Sequence, residues 1–201
     1  MGGLVLDLCH QAGQLAALAH NDALTGIPNR RAWELELPRE MARVRRYGGR
    51  LCVALLDLDH FKRFNDQHGH QDGDRLLKEA TAAWRSRARE SDLLARWGGE
   101  ELTVLLRDCT PAEAVMVLDD LRAVTPGGQT FSAGLAEWDG QESPERLVGR
   151  ADVGLYEAKR AGRDRVVIAP SPPNDPQPPA TDPTPTQTTP QRGQIHTKPH
   201  N

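Results

Sequence analysis

The sequence predicts an α/β domain with a mixed sheet flanked by helices. Three observations predict it. Helical and strand patterns alternate between residues 22 and 169. The continuous apolar run Leu51-Cys52-Val53-Ala54-Leu55-Leu56 suits a strand buried on both faces. Two further strand patterns flank Gly98-Gly99, which is the turn chemistry of a hairpin.

Each element has its own signal. Residues 30–47 read as a helix, and Pro38 inside it should kink or split that helix. Residues 72–90 read as a helix with Leu76, Leu77, Ala80 and Trp84 on one face. Asp92–Trp97 and Glu101–Leu106 are the arms of the hairpin. Pro111 opens a helix that runs to about Val124, because proline at the first helical position loses no bond. Thr130–Ala136 reads as a strand, Pro144–Arg160 as a helix and Arg165–Ala169 as a last strand.

Composition narrows the function. The chain has 201 residues, a net charge of -3 and 26 % charged residues, so a strongly basic nucleic-acid binder is excluded. No apolar run approaches the length of a membrane span. Three cysteines form neither a disulfide framework nor a zinc spacing, which fits a reducing, cytoplasmic setting. A signal peptide is not expected: the first Lys or Arg is Arg30, and Asp7 and His10 interrupt the early apolar stretch.

Three regions follow. Residues 1–21 carry Leu4, Leu8, Gln11, Leu15 and Leu18 at heptad spacing. A helix packed on its own domain and a short two-helix stalk between protomers are equal readings of that segment. Residues 22–169 make the compact domain. Residues 170–201 hold ten of the fifteen prolines and one large aliphatic residue, Ile195, so a disordered, partly polyproline tail is expected.

The chemistry concentrates at two places. The strand at 51–56 runs into Asp57-Leu58-Asp59, and two acids two residues apart at a strand end share one face. The hairpin turn adds Glu100 and Glu101 directly after Gly98 and Gly99, glycines that let a backbone or a substrate phosphate come close. Hard oxygen ligands from neighbouring strands suit Mg²⁺ bound with a nucleotide phosphate.

The segment Arg96-Trp97-Gly98-Gly99-Glu100-Glu101-Leu102 resembles the signature of GGDEF domains, the diguanylate cyclases. Other blocks of that family appear in order. Asp22-Ala23-Leu24-Thr25-Gly26-Ile27-Pro28-Asn29-Arg30-Arg31 resembles its opening motif. Asp57 to Asp66, continued by Gly69-His70 and Gly73-Asp74, resembles its metal and base-recognition block. Ala151-Asp152 and Leu155 to Arg163 resemble its closing motif.

The resemblance implies a palm-like nucleotide cyclase fold with a mixed, mainly antiparallel central sheet. It implies condensation of two GTP into cyclic di-GMP plus pyrophosphate. One GTP pocket per domain and two phosphodiester bonds to form then call for a homodimer during catalysis. By the same resemblance Asp57, the Leu58 carbonyl and Glu100 would hold Mg²⁺, with Mn²⁺ as the alternative ion. Asn65 and Asp74 would read guanine, and His70 would line that pocket, with a structural role in the loop after Gly69 an equal reading of that histidine. An aspartate suits guanine independently, because it can accept from N1–H and N2–H together. Lys62 would offset phosphate charge, and Lys159 and Arg163 would hold the outer phosphates. Glu100 would be the base for the attacking hydroxyl and Glu101 a second acidic ligand. Arg89-Glu90-Ser91-Asp92 stands where the family places its inhibitory product site, and an Arg fork suits phosphate or guanine. Leu102 stands where Phe is usual, an apolar exchange a core should tolerate. Two other readings compete with the enzyme: a catalytically silent module that binds GTP or cyclic di-GMP, and a purely structural dimerisation unit.

Overall fold

A computed structural model of the chain describes residues 20–171. Apart from their innermost two residues, the expected stalk over 1–21 and tail over 170–201 lie outside the described residues. The elements are α1 (Arg30–Tyr47), β1 (Leu51–Leu58), α2 (Phe61–His68), α3 (His70–Arg85), β2 (Leu93–Gly98), β3 (Glu101–Arg107), α4 (Pro111–Ala123), β4 (Phe131–Glu137), α5 (Pro144–Arg160) and β5 (Val166–Ile168). A single 3₁₀ turn, Pro126–Gly128, precedes β4.

The five strands form one sheet in the order β2-β3-β1-β4-β5. All pairings are antiparallel except β4 with β5. This is the mixed, mainly antiparallel sheet of a palm-like α/β fold.

Strand parity divides the core. Cys52, Ala54, Leu56 and Leu58 of β1 face α3 and α4, where they meet Leu77, Trp84 and Leu118. Leu51, Val53 and Leu55 face the other way and pack with Trp33 and Leu37 of α1 and Leu147 and Leu155 of α5. Asp57 follows the second parity, so it emerges on the α5 side at the end of the central strand.

Three expectations need correction. Pro38 does not split α1, which runs unbroken from its Asn29 cap to Gly48. Pro38 is exposed, and the stripe Trp33, Leu37, Met41 and Val44 on the buried side keeps both halves on the sheet. The carbonyl that loses its partner lies on the solvent side, where water can replace the bond. The helix expected over 72–90 starts earlier, at His70, and ends at Arg85. Its last buried residue is Trp84, and beyond it no apolar face holds the turns to the core. Sequence pattern assigns no element to the segment after β1, yet it forms the two-turn helix α2.

Gly69, at φ 85°, separates α2 from α3. A side chain at Gly73 would fall 1.8 Å from Asn65 Oδ1, so the two short helices meet through that glycine. The contact of α5 with β4 is backbone against backbone. A Cβ on Gly134 would lie 1.9 Å from the Ala151 carbonyl oxygen and 2.1 Å from the Leu155 nitrogen. This approach fixes α5, and with it Lys159, against the sheet.

Candidate active site

Four acidic or basic side chains converge where β1 ends. Asp57 stands directly opposite Glu101 in the β1–β3 register and opposite Ser132 in the β1–β4 register. Like charges directly opposite on one face repel. Lys159 of α5 answers them, with Nζ 2.8 Å from Asp57 Oδ2. Burial pushes the Asp57 carboxyl up, Glu100 and Asp59 add to that, and Lys159 opposes it. Burial also raises Glu101, with help from Asp57, Glu100 and Asp152. The face is therefore short of positive charge even with Lys159 in place.

The hairpin turn is held from outside. Arg96 donates from Nε (2.9 Å) and Nη2 (2.7 Å) to the Gly99 carbonyl, and from Nη1 to Asp22 Oδ1 (2.9 Å). Asp22 in turn accepts from the Thr25 amide and hydroxyl. The Leu58 amide donates to the Glu100 carbonyl at 3.4 Å, which ties the turn to the end of β1. Gly99 sits at φ 55°, and the β2–β3 register shifts between Arg96 and Gly98. The Arg30 guanidinium lies 4.3 Å over the Trp97 ring beside this turn. Asp22 and Arg96 stand inside the opening and signature motifs, where sequence pattern assigns them no task. An arginine two residues before a glycine turn was the available signal.

The α2–α3 pair carries a second group. Lys62, His70 and Asp74 are exposed, and Asn65 is half-buried between Phe61 and Gly73. Asn65 Oδ1 is buried without a hydrogen-bond partner. Arg163 follows α5 in a left-handed corner at φ 67°. Asp59 does not join Asp57 as a free acid: Thr130, Ser132 and the Asp164 amide occupy its oxygens.

Arg89 and Asp92 line a separate cleft of about 280 Å³ with Ile27, Pro28 and Arg85. Asp92 Oδ1 accepts from the Arg107 amide at 3.3 Å. Asp92 Oδ2 is buried and unpartnered.

Among the described residues, no three His, Cys, Asp or Glu side chains form a metal cage. The donor set at β1 still fits Mg²⁺. That ion is usually held by one or two carboxylates plus substrate phosphates, and Asp57 and Glu100 belong to a crowded acidic face. Among the described residues, no helix is long and apolar enough to cross a membrane.

Comparison with known proteins agrees with this arrangement. The family described as "Diguanylate cyclase, GGDEF domain" matches residues 19–165. Diguanylate cyclase DgcP of Pseudomonas aeruginosa is 45% identical over 161 residues, covering 75% of this chain and 24% of that protein. Response regulator PleD of Caulobacter vibrioides is 36% identical over 163 residues, covering 75% of this chain and 36% of that protein. The chain thus spans well under half the length of either relative. The coiled coil and GGDEF domain of DgcB from Caulobacter crescentus, solved in complex with c-di-GMP, superposes with a TM-score of 0.79 at 32% identity. That match covers 84% of this chain and 95% of the other. Motif order, sheet topology and these matches agree along most of the chain, which belongs to the GGDEF domain family, the diguanylate cyclases.

Proposed function

We propose that the chain is a diguanylate cyclase that condenses two GTP into cyclic di-GMP and pyrophosphate. One observation carries the reading: the acidic face of Asp57, Glu100 and Glu101, answered by Lys159, at the end of the central strand. Such a face suits nucleotidyl transfer, which depends on positioning and on neutralised phosphate charge.

The side chains divide the work. Asn65 and Asp74 accept and donate at the guanine edge, with His70 beside them. Gly98 and Gly99 let the phosphates approach the backbone. Lys62 offsets charge on the phosphates, and Lys159 and Arg163 grip the outer ones. Glu100 takes the proton from the attacking 3′-hydroxyl, and Glu101 adds a second carboxylate to the metal side. Asp57, the Leu58 carbonyl and Glu100 would hold Mg²⁺ or Mn²⁺, which supplies Lewis-acid polarisation of the phosphate oxygens when bound. Arg89 and Asp92 form the product site, where the unpartnered Asp92 oxygen is free to accept from guanine.

Glu100→Gln tests the assignment. It keeps the shape of a half-buried turn residue and removes one charge. GTP turnover should fall roughly a hundredfold or more, with the melting temperature nearly unchanged. Near-normal turnover by the folded variant would refute the site.

A further inference from the structure

Asp59 is 3 % exposed and has no basic partner among the described residues. A buried carboxylate without a cation is costly unless its oxygens are bonded. Here both are. Oδ2 accepts from the Thr130 hydroxyl at 2.6 Å and the Asp164 amide at 3.1 Å. Oδ1 accepts from the Ser132 hydroxyl at 2.7 Å. The Asp59 amide donates back to the Thr130 carbonyl at 2.9 Å. One side chain thereby joins the end of β1, the start of β4 and the corner after α5.

That corner is strained. Arg163 and Asp164 are consecutive residues other than glycine with φ of 67° and 45°, after Gly162 at 110°. Left-handed backbone disfavours such residues, so neighbours must hold them. The Arg163 amide bonds the Ala158 carbonyl at 3.0 Å. Arg122 holds the carbonyl of Asp164 at 3.1 Å and its carboxylate at 3.0 Å. Asp59 takes the remaining backbone donor of Asp164 and links the corner to the strand of Asp57.

We propose that Asp59 is the positioning residue for the triphosphate: it fixes the corner of Arg163, and the end of α5 with Lys159, against the strand end that carries Asp57. The proposal rests on the cyclase reading of the site. An aspartate suits the place because one oxygen can take two donors while the other takes a third. Asparagine can imitate it, since its carbonyl oxygen can serve Thr130 and Asp164 while the Ser132 hydroxyl reverses to accept. Alanine leaves three donors unanswered.

The test compares a triphosphate with a monophosphate. Binding of α,β-methylene-GTP and of GMP, both with Mg²⁺, is measured calorimetrically on the full chain. Asp59→Ala should weaken the triphosphate about tenfold or more and GMP by less than about twofold. Asp59→Asn should restore most of the difference. Hydrogen exchange of the 162–165 amides should quicken in Asp59→Ala and stay near wild type in Asp59→Asn. If the alanine variant does not fold, Asp59→Ser keeps a polar atom there, reaches fewer donors, and should show the same selective loss. A folded Asp59→Ala or Asp59→Ser protein that keeps the wild-type ratio, or loses both ligands equally, overturns the proposal. Wild-type protein that binds α,β-methylene-GTP no better than GMP overturns the cyclase reading first, and the role of Asp59 with it.

Discussion

Asp22 illustrates how single residues set the turn from a distance. Burial pushes its carboxyl up, but the bonds from Thr25 and Arg96 outweigh burial and hold it below the usual range. A carboxyl lowered in the folded state adds stability above its unfolded pKa, about 3.9, and loses it as pH falls through the folded value. Asp22→Asn should therefore cost about 1–2 kcal/mol at pH 7, and the gap to wild type should shrink below about pH 4. Denaturant titrations of both proteins across that range check the sign; a gap that does not change with pH would contradict it. Arg89 offers a functional counterpart. If Arg89 and Asp92 bind product, cyclic di-GMP slows its own synthesis, and Arg89→Ala should relieve that inhibition without lowering the initial rate. Inhibition curves that coincide for the two proteins would count against the cleft. The residues that converge on β1 were legible in the sequence because acids after a buried strand and after paired glycines are local patterns. The network of Asp59 and the pairing of Arg96 with Asp22 were not, since those partners lie 71 to 105 and 74 residues away and only folding brings them together.

Gly134 bears on a whole element. A methyl group there would sit within 1.9–2.1 Å of the α5 backbone, and backbone cannot swing aside as a side chain can. Gly134→Ala should force α5 off β4 and cost about 3 kcal/mol, at the upper end for an overpacked core. Turnover should drop with it, because Lys159 and the Arg163 corner ride on α5. A melting temperature and rate both near wild type would show that the sheet yields more easily than this packing allows. Most elements were legible from pattern: the apolar run of β1, the glycine hairpin, and the proline starts of α4 and α5 each name themselves. α2 was not, because eight residues are too few for a helical period to stand out. Pro38 misled for a related reason. Its effect depends on which side of the helix it occupies, and the buried stripe beneath it decides that.

The described residues present one candidate GTP site, yet a ring of two nucleotides needs two phosphodiester bonds. Each 3′-hydroxyl must reach the other nucleotide's α-phosphate at about 3–3.5 Å, which two protomers facing across a two-fold axis satisfy most simply. Chance encounters of monomers would be slow, so the rate per protomer should rise with protein concentration until the dimer is formed. The most direct test is incubation with GTP and Mg²⁺ over a range of protein concentrations, with products identified by mass spectrometry and pyrophosphate counted. Cyclic di-GMP should form with two pyrophosphates per ring, at a specific activity that climbs with protein concentration. A folded protein that leaves GTP intact, or releases only inorganic phosphate from it, would contradict the cyclase assignment.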